Sequence, residues 1–408
     1  MPFPSRGLTI PTRLASFVLV PLVLASVLGA QESPSRTGAR RAGIDVLHYE
    51  FRVDFPARAW PDTIRFAATT TAVRRDVMSL ALDLAASMQV DSTRVNGARV
   101  AFTRPGDSVR VALPRGRNDT VRVAVFYRGL PTDGLIVRRD TLLGWTAFGD
   151  NFPDRARQWL ATVDHPSDKA LVDWIVRAPS THRVIANGAL VEETPEVGAA
   201  GSRLVRTHWR TARPIYTGLM VIGVSPFAVL ELGETACNLA ERAGCVRQSV
   251  WTSPSRRAAM PGSFARAGDI VAFFSTLVGP FPYEQLAHVA SSTRFGGMEN
   301  AGAIFYDERL FKPGSPGESL IAHETAHQWF GDAVTEREWP HVWLSEGFAT
   351  YFAALWTEHA HGDSAFLADM RSIRSRTLTS SITGEKAVID TTLDDLAKVL
   401  NTNVYKLK

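Results

Sequence analysis

Two histidines four residues apart, with a glutamate beside the first, set the tightest constraint in this sequence: His323-Glu324-Thr325-Ala326-His327. Only a helix places residues i and i+4 on one face, so the two imidazoles can converge on a metal ion only if this stretch is helical. Glu324 then lies within reach of a metal-bound water and can act as general base. Local signals predict that helix over residues 316–330. Ser315 is a good N-cap, Pro316 suits the first helical position and Glu318 completes a capping box. Leu320, Ile321, Trp329 and Phe330 supply apolar faces, and Gly331 is a natural stop.

A catalytic zinc keeps three protein ligands and one open position. The HExxHxxGxxH extension would require Gly at 330 and His at 333, and Phe330 and Ala333 exclude it. Nineteen residues after His327 comes Glu346, within Trp343-Leu344-Ser345-Glu346-Gly347-Phe348-Ala349. A second helix over about 343–359 can return that carboxylate to the ion, completing a two-histidine, one-glutamate set. Taken alone, Glu346 would be an acid matched to a helix N-terminus, and the histidine pair a chance pattern on a solvated helix.

Upstream the pattern changes period. From Ile44 to about Thr252 the chain shows short alternating runs, among them 90–95, 99–102, 108–113, 120–127 and 204–209, with turn dipeptides at Asn96-Gly97 and Asn187-Gly188. This predicts an all-β sandwich or saddle over 44–251. Beyond it, residues 264–278 read as an amphipathic helix ended by Gly279-Pro280, and a strand follows within 281–292. The fold class is therefore α+β and multidomain, with the boundary near residue 250 and a mostly helical domain over 252–408. No repeat or low-complexity tract interrupts it.

The N-terminus has Arg6 and Arg13 before a short apolar run to Leu28, then Gly29 and Ala30. That is the form of a secretory signal over 1–30, leading into a polar linker over 31–43. The run is short for a membrane span of roughly 20 residues, so a secreted or periplasmic protein without stable membrane insertion is expected. Cys237 and Cys245 are then a candidate disulfide or two free thiols, and two cysteines alone do not close a zinc site. A net charge of +4, from 45 basic against 41 acidic residues, is too small to point to nucleic acid.

Taken together, HExxH, eighteen intervening residues and a glutamate within WLSEGFA resemble the M1 family of zinc aminopeptidases, which are gluzincins. Gly296-Gly297-Met298-Glu299-Asn300 is similar to that family's GxMEN exopeptidase strand. The resemblance implies an N-terminal β saddle followed by a thermolysin-like catalytic domain, one zinc ion per chain, and hydrolysis of the first peptide bond of substrates with a free N-terminus. It implies His323, His327 and Glu346 as metal ligands, and Glu324 as general base. It makes Gly296 to Asn300 the substrate-binding strand, where Glu299 holds the α-ammonium. Tyr405, fifty-nine residues beyond Glu346, corresponds to the family's oxyanion donor. The segment from Ala156-Arg157 to Asp164-His165-Pro166-Ser167-Asp168-Lys169-Ala170 looks like the family's D-x-P-x-x-K-A stretch. Where the family often has an amine-binding Gln, this chain reads Gly149-Asp150-Asn151-Phe152-Pro153, so Asp150 or Asn151 would have to substitute. The family continues past the tyrosine into a helical C-terminal domain, so the catalytic domain is expected to be incomplete at Lys408. The competing functions are a thermolysin-type endopeptidase, against which Glu299 argues, and a non-catalytic peptide-binding fragment.

Overall fold

A computed structural model describes residues 43–57, 60–116, 119–141, 143–235 and 246–379, together with 388, 389, 396 and 399. The expected signal segment 1–30, nearly all of the linker, Cys237, Cys245 and Tyr405 lie outside the described residues.

The alternating runs do form strands. The largest sheet runs, from one edge, through Ala189–Val197, Arg203–Arg210, Lys169–Pro179, Ile44–Asp54, Ile64–Arg74, Thr120–Gly129, Gln89–Val95 and Ala98–Val100. Ile44–Asp54 pairs with Lys169–Pro179 in parallel, while its other neighbour, Ile64–Arg74, is antiparallel. Burial alternates along Ile64–Arg74 and Thr120–Gly129, because each strand shows one face to the core and the other to water. On the buried face the tilted rings of Phe51 and Trp174 lie 4.9 Å apart between centroids, and Trp174 stacks on Trp159 at 5.7 Å. Smaller sheets of four and three strands complete this β-rich part.

Within residues 154–169, several polar groups are spent on holding the structure together. Arg157 and Asp164 form a buried ion pair at 3.1 Å, and Asp164 also accepts from the Thr217 hydroxyl at 2.7 Å. The Tyr49 hydroxyl accepts from the Val163 amide, and the Tyr127 hydroxyl donates to the Trp159 carbonyl. The Asn96-Gly97 turn closes a hairpin, as its residues predict, with both residues at positive φ. Asn187-Gly188 does something different. The strand before it, Arg183–Ala186, pairs with Ile222–Ser225, whereas the strand after it joins the large sheet, so the dipeptide is a crossing point between sheets.

The second part is organised by a five-stranded sheet of β1 (Ala228–Thr235), β2 (Val246–Thr252), β3 (Gln285–Ser291), β4 (Gly297–Met298) and β5 (Ala303–Asp307), in the order β1-β2-β3-β5-β4. Strands on both sides of residue 250 share this sheet, so the composition change there does not fall between sheets. β3 and β5 are parallel neighbours buried on both faces, as their continuous apolar runs require. Among the described residues β4 pairs only with β5 and forms one edge. Of the helices here, α1 (Ala267–Leu277) packs against β1 and α2 (Glu318–His327) against β4, while α3 (Trp343–His361) packs on α2 and α4 (Asp363–Thr379) packs on α3. α2 carries the histidine pair and α3 carries Glu346. Among the described residues no helix is long and apolar enough to cross a membrane.

The start of α2 departs from expectation. Its first helical residue is Glu318 and its N-cap is Gly317, which makes no side-chain cap, so Ser315 does not cap it. Glu318 does not close a capping box either. Its Oε1 accepts from Trp356 Nε1 at 2.7 Å and lies 3.2 Å from His361 Nε2, tying α2 to the far end of α3. A tertiary hydrogen bond has displaced the local one.

The buried Arg157–Asp164 pair generates a stability prediction. Arg157→Met leaves a buried carboxylate without its cation, so unfolding free energy should fall by about 3 kcal/mol. A urea titration reads this as a lower midpoint with unchanged slope, and an unchanged midpoint would show that the pair is dispensable.

Candidate metal centre

The helical spacing of the histidines delivers what it predicts. His323 Nε2 and His327 Nε2 lie 3.2 Å apart. α3 crosses α2 and brings Glu346 Oε2 to 3.4 Å from His323 Nε2 and 3.5 Å from His327 Nε2. A tetrahedral ion with bonds of about 2.0 to 2.2 Å holds its ligand atoms roughly 3.3 to 3.6 Å apart. The three atoms therefore already stand nearly at the edges of such a tetrahedron, and two imidazoles with one carboxylate are a donor set that suits zinc. His327 is almost wholly enclosed, at 1% side-chain exposure, while His323 at 12% and Glu346 at 19% are less so.

The partners of His327 orient it. Its Nδ1 lies 3.1 Å from the Phe330 carbonyl oxygen and 3.0 Å from the Ser345 hydroxyl, so Nε2 is the atom left for a metal. Ser345 directly precedes Glu346, which joins the two ligand-bearing helices at their contact. Gly331 makes room for this: at φ +116° it is in glycine's territory, and a Cβ there would lie 2.3 Å from Ser345 Oγ.

Acids surround the triangle. Burial opposes a charge on His327, but the carboxylates of Glu299, Glu346 and Glu324 outweigh it and hold its imidazole up at about 10. The site thus attracts positive charge strongly. Behind it, burial lifts Asp332 well above the usual carboxylate range and pushes Glu336 up to about 7, with Glu299 adding to both.

Glu324 and Glu299 are both buried, and an oxygen of each lies within 4.8 Å of the other and of a His327 nitrogen. Glu299 follows the edge strand β4, and by alternation it shares a face with Gly297. That face meets α2 closely, since a Cβ on Gly297 would sit 2.4 Å from the Glu324 carboxyl carbon. Glycine at 297 is what lets the β4 backbone lie against that carboxylate. Gly296 is exposed, Met298 is buried at 3% and Asn300 is fully buried. The structure therefore brings His323, Glu324, His327, Glu346 and the 296–300 strand to one place.

Asp150 and Asn151 do not offer a free amine-binding group. Asn151 is spent on the carbonyls of Thr217 and Met220 and on Trp159 Nε1. Asp150 is fully buried against Arg155 at 3.1 Å and Arg294 at 3.5 Å.

Other supports escaped the sequence reading. Lys169 Nζ donates to the carbonyls of Asp332 and Ala333, fastening the β-rich part to the loop between α2 and α3. Gln328, next to the second histidine, is fully buried and bonded to the turn after Glu299. For Lys169 the signal was its place in the D-x-P-x-x-K-A stretch; for Gln328, it was a polar residue on the apolar side of a helix. Neither names its partner.

Residues 266–406 match the model of the peptidase family M1 domain. Aminopeptidase N of Haemonchus contortus is 28% identical over 255 residues, covering 58% of this chain and 25% of that protein. Aminopeptidase Ey of Gallus gallus is 30% identical over 257 residues, covering 60% and 24%. The chain thus spans about a quarter of the length of these relatives. Among solved structures, an M1 zinc metallopeptidase from Deinococcus radiodurans is 24% identical with a TM-score of 0.76, covering 90% of this chain and 81% of that one. The histidine–glutamate triangle and the 296–300 segment beside it both lie within the residues that are similar to the peptidase family M1 domain.

Proposed function

We propose that this chain is a zinc aminopeptidase that removes the N-terminal residue of peptides. The observation that carries the reading is the pairing of two features: a tetrahedral-edge triangle of His323, His327 and Glu346, and the buried Glu299 carboxylate 3.9 Å from His327 Nδ1. The first could hold the ion. The second limits how much peptide can extend past it.

Zinc, when bound, supplies a Lewis acid and lowers the pKa of a water to about 7. The chain's own residues do the rest. Glu324 takes the proton from the attacking water and passes it to the leaving amine, a role worth about 100-fold or more in rate. Glu299 pairs with the substrate's α-ammonium; in a site this buried, an acetylated or internal amide brings no charge to match it. β4, as an edge strand, offers backbone groups to an extended peptide. Tyr405 would donate to the developing oxyanion. A variant of the D. radiodurans enzyme, 25% identical with a TM-score of 0.76, is described as bound to a Tyr-Ser-Ala substrate, and this supports the choice of peptide.

The same reading takes residues 252–408 as a thermolysin-like peptidase domain behind a β domain over 44–251. It takes residues 1–30 as a signal that directs the chain to the periplasm or outside the cell.

Glu324→Gln should keep zinc, measured per chain by mass spectrometry, and lose at least about 100-fold in kcat on aminoacyl arylamides. Full turnover in that variant would remove the general-base role. Glu299→Ala should weaken kcat/KM on free-amine substrates far more than on their N-acetylated forms, and equal losses on both would remove the anchor.

A further inference from the structure

Between the metal ligands and Glu299 lies a hydrogen-bonded link that the reaction does not use. Residues 299–303 form the turn between β4 and β5. The turn is closed by the Ala303 amide donating to the Asn300 carbonyl at 2.8 Å, with Gly302 at φ +71° as this geometry demands. Gln328 grips both shoulders of that turn. Its Nε2 donates to the Glu299 carbonyl at 2.8 Å, and its Oε1 accepts from the Gly302 amide at 2.8 Å. From the opposite side, Asn187 Nδ2 donates to the Ala301 carbonyl at 2.9 Å. Asn187 is itself fixed by the Leu219 carbonyl at 2.8 Å and the Val221 amide at 2.7 Å. Gln328 and Asn187 are both fully buried.

We infer that Gln328, braced by Asn187, is a positioning residue that sets the distance between the Glu299 carboxylate and the metal ligands, and so makes the site selective for α-amines over amines one carbon further out. The inference rests on the aminopeptidase reading and deepens it. Gln328 leaves the helix one residue after His327, so the ligand and the clamp share one rigid stretch of backbone. The Gln328 side chain joins the backbone at the end of α2 directly to the Glu299 carbonyl. The Glu299 carboxylate is then free only in its own torsions, while its backbone is pinned at 299, 301 and 302. An α-aminoacyl group fits one separation between ammonium and scissile carbonyl, and a β-aminoacyl group needs a longer one. A misplacement of about 1 Å in such a constellation costs on the order of 100-fold in rate. A residue that merely stabilised the fold would lower both activities together when removed.

The test compares kcat/KM on L-alanyl and β-alanyl 4-nitroanilide for the wild-type chain, Gln328→Met and Gln328→Glu, with zinc content and hydrogen exchange of the 299–303 amides measured on each. Met keeps the length of the side chain and removes both hydrogen bonds. Glu keeps the acceptor for the Gly302 amide, removes the donor to Glu299 and sets a carboxylate oxygen against that carbonyl. We expect Gln328→Met to bind zinc one to one, to exchange faster across 299–303, and to lose at least ten-fold of the wild-type preference for L-alanyl. Gln328→Glu should exchange more slowly at Gly302 than the Met variant and lose less of the preference. An unchanged preference in both variants despite faster exchange would overturn the selectivity role, and unchanged exchange in Gln328→Met would overturn the clamp itself. A wild-type chain that cleaves neither substrate would overturn the aminopeptidase reading and the selectivity role with it. The exchange data tell that failure apart from a failed clamp.

Discussion

Three side-chain atoms from two helices stand 3.2 to 3.5 Å apart, and the packing of those helices is arranged to allow it. The histidine pair is a local matter, solved by one turn of α2. Glu346 is not. It needs α3 to cross α2 at a fixed depth, and that crossing is held at both ends. Near the ligands, Ser345 meets His327 over the bare backbone of Gly331. At the far end, Glu318 accepts from Trp356. A shift of the crossing by even part of a helical turn would separate the carboxylate from the imidazoles.

That geometry collects negative charge around a largely buried site, and the fold has to tolerate it. Glu299, Glu324 and Glu346 stand around His327, with Asp332 and Glu336 behind. Burial works against a charged His327, but the combined charge of the carboxylates holds it up at about 10, while Glu336 is pushed up to about 7 chiefly by its burial. The same concentration of charge favours a cation at this site. The β-rich part contributes through Lys169 and Asn187, which reach the α2–α3 loop and the 299–303 turn. It acts as the frame against which the site is held.

Much of this was legible in the sequence, where a period or a spacing encodes it. The i, i+4 histidines required a helix, and WLSEGFA announced a second helix with its acid in the first turn. The alternating runs at 90–95, 99–102, 120–127 and 204–209 marked four strands of the large sheet, and the run at 108–113 marked one of a smaller sheet. What stayed hidden depends on partners far away along the chain. Ser315 and Glu318 satisfied every local rule for a capping box, yet Glu318 found Trp356 instead, thirty-eight residues on. Asn187-Gly188 read as a turn, and nothing nearby disclosed that Asn187 would hold Ala301, 114 residues later. Asp150 and Asn151 looked available because neither their burial nor Arg294 and Trp159 could be foreseen from the residues beside them. Contacts of this kind leave no periodic trace.

X-ray absorption at the zinc edge of the zinc-loaded chain tests the central geometry most directly. The account predicts a first shell of nitrogen and oxygen donors only, at about 2.0 to 2.2 Å, with the outer-shell scattering of two imidazoles, and loss of one imidazole contribution in His323→Ala. A shell containing sulfur, or one of water oxygens without imidazole scattering, would contradict it.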